Sequence, residues 1–96
     1  MLVSEITPGE LAKYAREDET DTEILSTFTL ILSAVKAYIK GYTGLSDEQL
    51  DTKEDVSIAV FVLANEMYEN RVFIVKDSNV NKVVQNILDM HSINLL

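Results

Sequence analysis

The hydrophobic positions between residues 24 and 42 recur at steps of three and four along the chain. The stripe consists of Ile24, Phe28, Ile31, Val35, Tyr38 and Tyr42. This spacing is the period of one face of an α-helix. Thr20 or Asp21 can cap the start of that helix, because a short side-chain oxygen accepts from the free N–H groups of the first turn. Gly41 and Gly44 suit its end, so the pattern predicts one long helix between these boundaries.

A second long helix is predicted from about residue 54 to residue 70, and its apolar positions are not confined to one side. One face carries Val56, Ala59, Val60, Leu63, Ala64 and Met67. Much of the remaining surface carries Ile58, Phe61, Val62 and Tyr68. A helix that is apolar almost all round must be covered all round. The cover can be the other helices of the same chain or a second subunit, and both alternatives stay open here.

Two short helices complete the predicted fold. Thr7-Pro8-Gly9-Glu10 combines a capping box with a proline at the first helical position, and predicts a helix that ends before the acidic stretch that follows. Ser78 or Asn79 is expected to cap the last helix. Its inner side is expected to carry Val80, Val83, Val84, Ile87, Leu88 and His91. Residues 46–50 add one helical turn in a connection. The predicted fold class is all-α, a four-helix single domain over residues 1–96 with two long and two short helices.

Two apolar segments lie outside the predicted helices. Val72, Phe73, Ile74 and Val75 have the propensity of a strand, but the run is four residues long and has no second strand to pair with. We expect an extended connection there, which either contacts a partner or packs on the core of its own chain. The tail contributes Ile93, Leu95 and Leu96. These seven residues are the predicted protein interface.

The charge balance narrows the class of partner. The net charge is −8 and the sequence pI is about 4.4, which disfavours binding to a phosphate backbone through Lys and Arg. No nucleic-acid recognition is expected. Residues 1–23 carry seven acids against two bases, either as a solvated face or as a patch that faces a partner. The longest unbroken apolar run, Ile58–Ala64, is far shorter than the roughly 20 residues of a membrane span. With no signal-peptide pattern at its start, the chain is expected to be soluble and intracellular, with no membrane partner.

Candidate chemistry is absent from the sequence. There is no Cys and a single His, His91, so one chain cannot build a two-His metal site or a Ser-His-Asp triad. The adjacent carboxylates lie where helix starts explain them. The three glycines do not form a phosphate-binding loop. We therefore expect a protein that is not an enzyme and that holds no cofactor or metal.

Three segments resemble a known family. Residues 35–44, which close in Tyr42-Thr43-Gly44, are similar to the end of the long second helix in head-tail connector proteins of tailed bacteriophages and prophages. Residues 55–71, which finish in Met67-Tyr68-Glu69-Asn70-Arg71, resemble the apolar helix that follows in that family, and residues 86–92 resemble its short last helix. The resemblance runs in order from about Thr7 to Leu96.

The resemblance implies a structural virion protein, an adaptor without catalytic residues. Such a subunit forms a ring of about a dozen copies beneath the portal, at the vertex where DNA enters during packaging and where head completion joins the tail. Its expected partners are other copies of itself, the portal protein, and head-tail stopper or tail proteins. Its expected location is the virion, after assembly in the bacterial cytoplasm. The N-terminal acidity leaves an alternative, a small acidic helical module or inhibitor that binds a basic partner.

Overall fold

Side-chain caps mark where most of the helices begin. The structure is a computed structural model that describes residues 1–71 and 81–92. Its elements are a 3-10 turn Val3–Glu5 and the helices α1 Pro8–Tyr14, α2 Thr22–Thr43, α3 Asp47–Leu50, α4 Glu54–Asn70 and α5 Lys82–His91. Thr7 accepts from the N–H of Glu10 at 3.2 Å, and Asp21 accepts from the first turn of α2. Gly44 ends α2 with φ of 76°, a left-handed conformation that glycine adopts without strain.

The two long helices lie side by side and run in opposite directions. The Phe28 ring, near the start of α2, stacks on the Tyr68 ring near the end of α4, with centroids 4.6 Å apart. Between them lie the largest fully buried aliphatic side chains of both helices, Ile31, Val35, Ile39, Val56, Val60 and Leu63. Burial of each such side chain contributes roughly 1.5–3 kcal/mol. This layer is the main part of the core.

The short elements cover the two edges of this layer. The N-terminal helix α1 buries Leu11 and Ala12 and packs on α2 and α4. The last helix α5 buries Val84 and Leu88 and also packs on both long helices. The 3-10 turn docks through Val3, next to α3 and α4. The all-α fold class is confirmed, with four helices of seven or more residues and α3 as the predicted single turn.

Two expectations for the last helix are wrong. Its cap is Asn81, whose side-chain oxygen accepts from the N–H of Val84 at 2.9 Å, and not Ser78 or Asn79. Asn81 also donates to Glu66 of α4, with 2.5 Å between the two atoms. Together with the burial of Val84 and Leu88 and the bonds of Asp89 and His91, this long-range bond fixes the rotation of α5. As a result Val83 faces outward and is exposed over 59% of its surface instead of lying on the inner side.

The length and composition of α2 would suffice for a membrane crossing. An 18-residue window of this helix has a mean hydropathy of 1.3. The core helix of a water-soluble protein meets the same criterion, and here the stripe that begins at Phe28 is enclosed by α1, α4 and α5. Only 22% of the window is buried, however, so most of α2 lies on the surface.

Candidate functional site

A polar cluster holds the end of α5 against both long helices. His91 Nε2 lies 2.6 Å from Oδ1 of Asp55 in the first turn of α4. On the other side of α5, the Tyr42 hydroxyl of α2 donates to the Asp89 carboxylate. The Ser92 hydroxyl donates to the Tyr42 carbonyl oxygen at 3.3 Å. These bonds join three helix ends, so the only histidine of the chain has a structural partner.

No arrangement for catalysis emerges from the residues that the structure describes. Within these ranges, no three His, Asp or Glu side chains converge to hold a metal ion. Two exposed carboxylates have altered acidity. Hydrogen bonds from Thr20, first from its side chain and then from its backbone, lower the pKa of Asp18. Hydrogen bonds from Ser4 likewise lower the pKa of Asp51. Asp18 orders its own loop, whereas Asp51 joins α3 to the N-terminal turn and lines a surface pocket there.

The middle of the outer side of α4 is apolar, between Glu54 and Glu69. Ile58 is 56% exposed. It lies half a turn away from the buried residues that face α2, and Val62 follows it one turn later, half-buried. On the α1 side, the exposed Tyr14 ring packs against Phe61, with centroids 5.3 Å apart. The predicted all-round cover of this helix is therefore incomplete within the described part of the chain.

The apolar surface continues from α4 onto α5. Val83, Ile87 and Met90 are spaced four and three residues apart and so share one side of α5. His91 borders this row and contacts α4, whereas Asp89 on the other side contacts α2. The row therefore lies on the α4 side, and Met90 is 73% exposed. We call the combined surface the α4/α5 face; it consists of Tyr14, Ile58, Phe61, Val62, Val83, Ile87 and Met90.

A second exposed stripe occupies the opposite side of the subunit. It consists of Ser26, Leu30, Ser33, Ala37 and Gly41, and we call it the α2 face. Its members follow at steps of three and four, half a turn away from the buried stripe of α2. Leu30 is 69% exposed, and the other members are small. In the part of the chain that the structure describes, nothing lies within 4 Å of the point where a Cβ would stand on Gly41. The stripe is uncharged, and its members Ala37 and Gly41 line an open surface pocket together with Tyr38 and Tyr42.

The central parts of both faces lack charge in a strongly charged protein, although Arg16 and Glu69 flank Tyr14 at the edge of the α4/α5 face. One quarter of all residues are charged. Yet α2 has none between Glu23 and Lys36, and α4 has none between Asp55 and Glu66. A solvated helix surface normally alternates charged side chains, whereas the centre of a protein interface is depleted of them. These two faces are therefore the candidate functional site.

The acidic segment before α2 is exposed and locally ordered. Asp18 accepts from the Thr20 hydroxyl at 2.6 Å, and Asp21 caps α2. Glu19 and Glu23 extend into solvent. Among the described residues, the detected ion pairs involve none of these four acids. The segment presents a negative surface at the end of the molecule where α2 begins.

The predicted interface residues cannot be compared with these faces. Val72, Phe73, Ile74, Val75, Ile93, Leu95 and Leu96 all lie outside the described residues. The residues that sequence reasoning missed are Leu30, Val83 and Met90. Leu30 could have been found, because the helical period places it on the side of α2 opposite the apolar stripe. Val83 could not, because the rotation of α5 depends on long-range contacts such as that between Asn81 and Glu66.

Comparison with known proteins adds no relative. The chain matches no protein-family model, no curated protein and no solved structure.

Proposed function

We propose that this chain is a head-tail connector subunit of a tailed bacteriophage or prophage. It would form a ring beneath the portal at the DNA-entry vertex and act in head completion by assembly, without catalysis. Three features support the proposal: the resemblance of residues 35–44, 55–71 and 86–92, the matching order of helices, and the exposed apolar surface. The observation that carries most weight is the pair of uncharged exposed faces on opposite sides of the subunit. A ring subunit needs two lateral surfaces of this kind.

A portal partner would meet other parts of the subunit. In a ring, the lateral faces are occupied by neighbouring copies, which leaves the two ends of the helical layer for the portal and for the stopper or tail proteins. The acidic segment 17–23 lies at one of these ends. If it lines the channel, its charge would keep DNA from adhering as it passes, because like charges repel. The lining role is wrong if these acids lie on the outer rim of the assembled ring.

The acidic segment also supports a second candidate function. A small module that covers a basic partner surface would use the same exposed acids, Glu19 and Glu23 among them. Such a module binds one partner in a fixed ratio and forms no higher assembly. It would not need the two uncharged faces, and this is why the connector is favoured.

Sedimentation velocity tests the connector proposal directly. The protein is studied alone over a concentration series, and then mixed with portal rings from the same phage. The connector predicts either a ring of the protein alone or comigration with the portal at about twelve copies per ring. A folded protein that stays monomeric and does not bind the portal would contradict it. A one-to-one complex with a basic host or phage protein, with no ring, would favour the second candidate.

A further inference from the structure

We infer that neighbouring copies of this chain associate head-to-tail, with the α4/α5 face of one copy packed on the α2 face of the next. This inference rests on the proposed ring, and it names the two surfaces through which the ring would close. The Ile58 and Met90 side chains of one copy would project onto the small residues of the other. The occupant of each face is therefore a second copy of the same chain.

The positions of the two faces match a repeating contact. The buried sides of α2 and α4 face each other across the core, so their outer sides point in opposite directions. A contact between two different faces on opposite sides of a subunit is heterologous, and repetition of such a contact generates a closed ring or an open filament. A two-fold dimer would instead pair each face with itself and leave the other face uncovered.

The faces also match in height along the helices. Phe28 of α2 lies beside Tyr68 of α4, and Tyr42 and Asp55 both contact the end of α5. These two contacts align the antiparallel helices. Ala37 therefore lies at the same height along the helix axes as the turn of α4 that carries Ile58. In a ring of about a dozen copies the rotation between neighbours is small, so each copy is nearly a translated version of the last. Ile58 of one copy would then contact Ala37 and Gly41 of the next.

Shape favours the same arrangement. The α4/α5 face carries large projecting side chains, including Tyr14, which is half exposed. The α2 face has no side chain larger than serine except at Leu30. The open space at Gly41 allows a close approach of a neighbouring helix. Projecting side chains of one copy can therefore pack on the small residues of the next without displacing the backbone.

Charge at the two ends of the faces is complementary as well. Lys40, near the end of α2, is level with the first turn of α4, which begins at Glu54. At the other end, Glu23 at the start of α2 is level with Arg71, which follows α4. Each pair joins opposite charges across the proposed contact. Among the described residues of its own copy, Lys40 pairs with the exposed Asp47 at 3.2 Å, which is a weak interaction in solvent.

Cross-linking tests the inference, because the chain has no cysteine of its own. Ala37→Cys and Ile58→Cys are made as two single variants and as one double variant, each checked for folding by circular dichroism. Both positions are exposed, so the fold should tolerate them. A short bis-maleimide is added under conditions of assembly. The control pair is Ala37→Cys with Glu19→Cys, because Glu19 is exposed in the loop before α2, about four helical turns from Ala37.

The inference predicts a distinct pattern of products. Each single variant alone stays monomeric on a denaturing gel, a mixture of the two gives a covalent dimer and nothing larger, and the double variant gives a ladder up to the ring. The control pair gives no ladder. Leu30→Glu should abolish assembly while leaving the monomer folded, because it places a charge in the centre of the α2 face.

Other outcomes overturn the inference, and they differ from failure of the connector function. Cross-linked dimers of Ala37→Cys alone would show a two-fold contact between α2 faces. A ring that forms without the Ala37 to Ile58 cross-link would keep the connector function and reject these faces. Absence of any assembly, with or without portal, would reject both. Flotation of the protein with neutral lipid vesicles, lost in Leu30→Glu, would assign the α2 face to a bilayer instead.

Discussion

The two sides of α2 share one backbone and differ in almost every other respect. The inner side is built from large aliphatic and aromatic residues that are inaccessible to solvent, such as Phe28, Ile31 and Val35. The centre of the outer side is built from serine, alanine and glycine with a single exposed leucine, and charged residues border it at both ends. Stability of the monomer should depend on the inner side alone. The outer side is free to serve assembly, and the difference can be tested residue by residue.

Removal of the Phe28 ring should have the largest effect. Phe28 is fully buried and stacks on Tyr68, so Phe28→Ala would leave a cavity and lower the free energy of unfolding by about 3–5 kcal/mol. A domain of this size has a total stability of only about 5–10 kcal/mol. Leu30→Ala, on the outer side of the same helix, should change it by less than about 0.5 kcal/mol. Urea titration followed by circular dichroism measures both, and equal losses would refute the division of α2 into two sides.

The same comparison applies to α5, on a smaller scale. His91→Ala removes the bond to Asp55, which joins the end of α5 to α4. Because Asp55 is partly exposed, the expected loss of unfolding free energy is about 1 kcal/mol. Met90→Ala changes the adjacent exposed side chain and should change the free energy of unfolding by less than about 0.5 kcal/mol. Thermal denaturation of the two variants and of the parent protein measures both losses of stability. A larger loss for Met90→Ala would mean that this residue is covered within the monomer.

Helices α1 and α2 show what the sequence could predict. The stripe from Ile24 to Tyr42 and the capping residues Thr7 and Asp21 are local signals, and the structure has both helices and both caps where these signals lie. Periodicity and capping involve residues at most four apart. They could therefore be recognised without knowledge of the tertiary structure, and the all-α class followed from them.

The candidate site depends on long-range contacts, so less of it could be predicted from the sequence. The apolar residues of α4 were visible in the sequence, but which of them would remain uncovered depends on how α1 and α5 pack against it. Val83 was expected inside and is exposed, because the rotation of α5 depends on contacts such as the bond from Asn81 to Glu66, fifteen residues earlier in the chain. Opposite placement of the two uncharged faces follows because the buried sides of α2 and α4 pack against each other. No local pattern encodes that packing.

A substitution at Gly41 should have opposite effects on the stability of the monomer and on assembly. In the monomer, the described residues leave open space at its Cβ position. Gly41→Ala should therefore raise the free energy of unfolding by roughly 0.5–1 kcal/mol, since alanine loses less backbone entropy on folding. In the proposed contact, the added methyl group would push the neighbouring helix away and weaken assembly. Denaturation and sedimentation are measured on the same preparation.

The matched control for Gly41→Ala is the reverse change one turn earlier. Ala37→Gly should lower the free energy of unfolding by a similar amount, and it adds no atom to the α2 face. Assembly should therefore survive in Ala37→Gly as long as the monomer is folded. If Gly41→Ala assembles as tightly as the parent protein, no neighbouring helix approaches closely at this residue.

The smallest expected effect compares two exposed carboxylates, Asp51 and Asp18. Hydrogen bonds hold the pKa of each below its ordinary value of 3.8. A lowered pKa in the folded state means that each carboxylate stabilises the fold above pH 3.8, and that this contribution is lost as the pH falls through the folded-state pKa. Asp51 accepts from the backbone N–H of Ser4 at 2.9 Å, and so joins α3 to the N-terminal turn. The bonds of Asp18 stay within its own loop.

This difference predicts unequal effects of removing the charge. Near neutral pH, Asp51→Asn should lower the melting temperature more than Asp18→Asn, because only Asp51 restrains a distant segment that buries Val3 and Ile6. Well below pH 3.8 the parent carboxylates are protonated, so both variants should melt with the parent protein. Thermal denaturation at the two pH values measures this. A deficit of Asp51→Asn that persists in acid would mean that the side chain acts through its shape, because its charge would then contribute nothing to docking of the N-terminal turn.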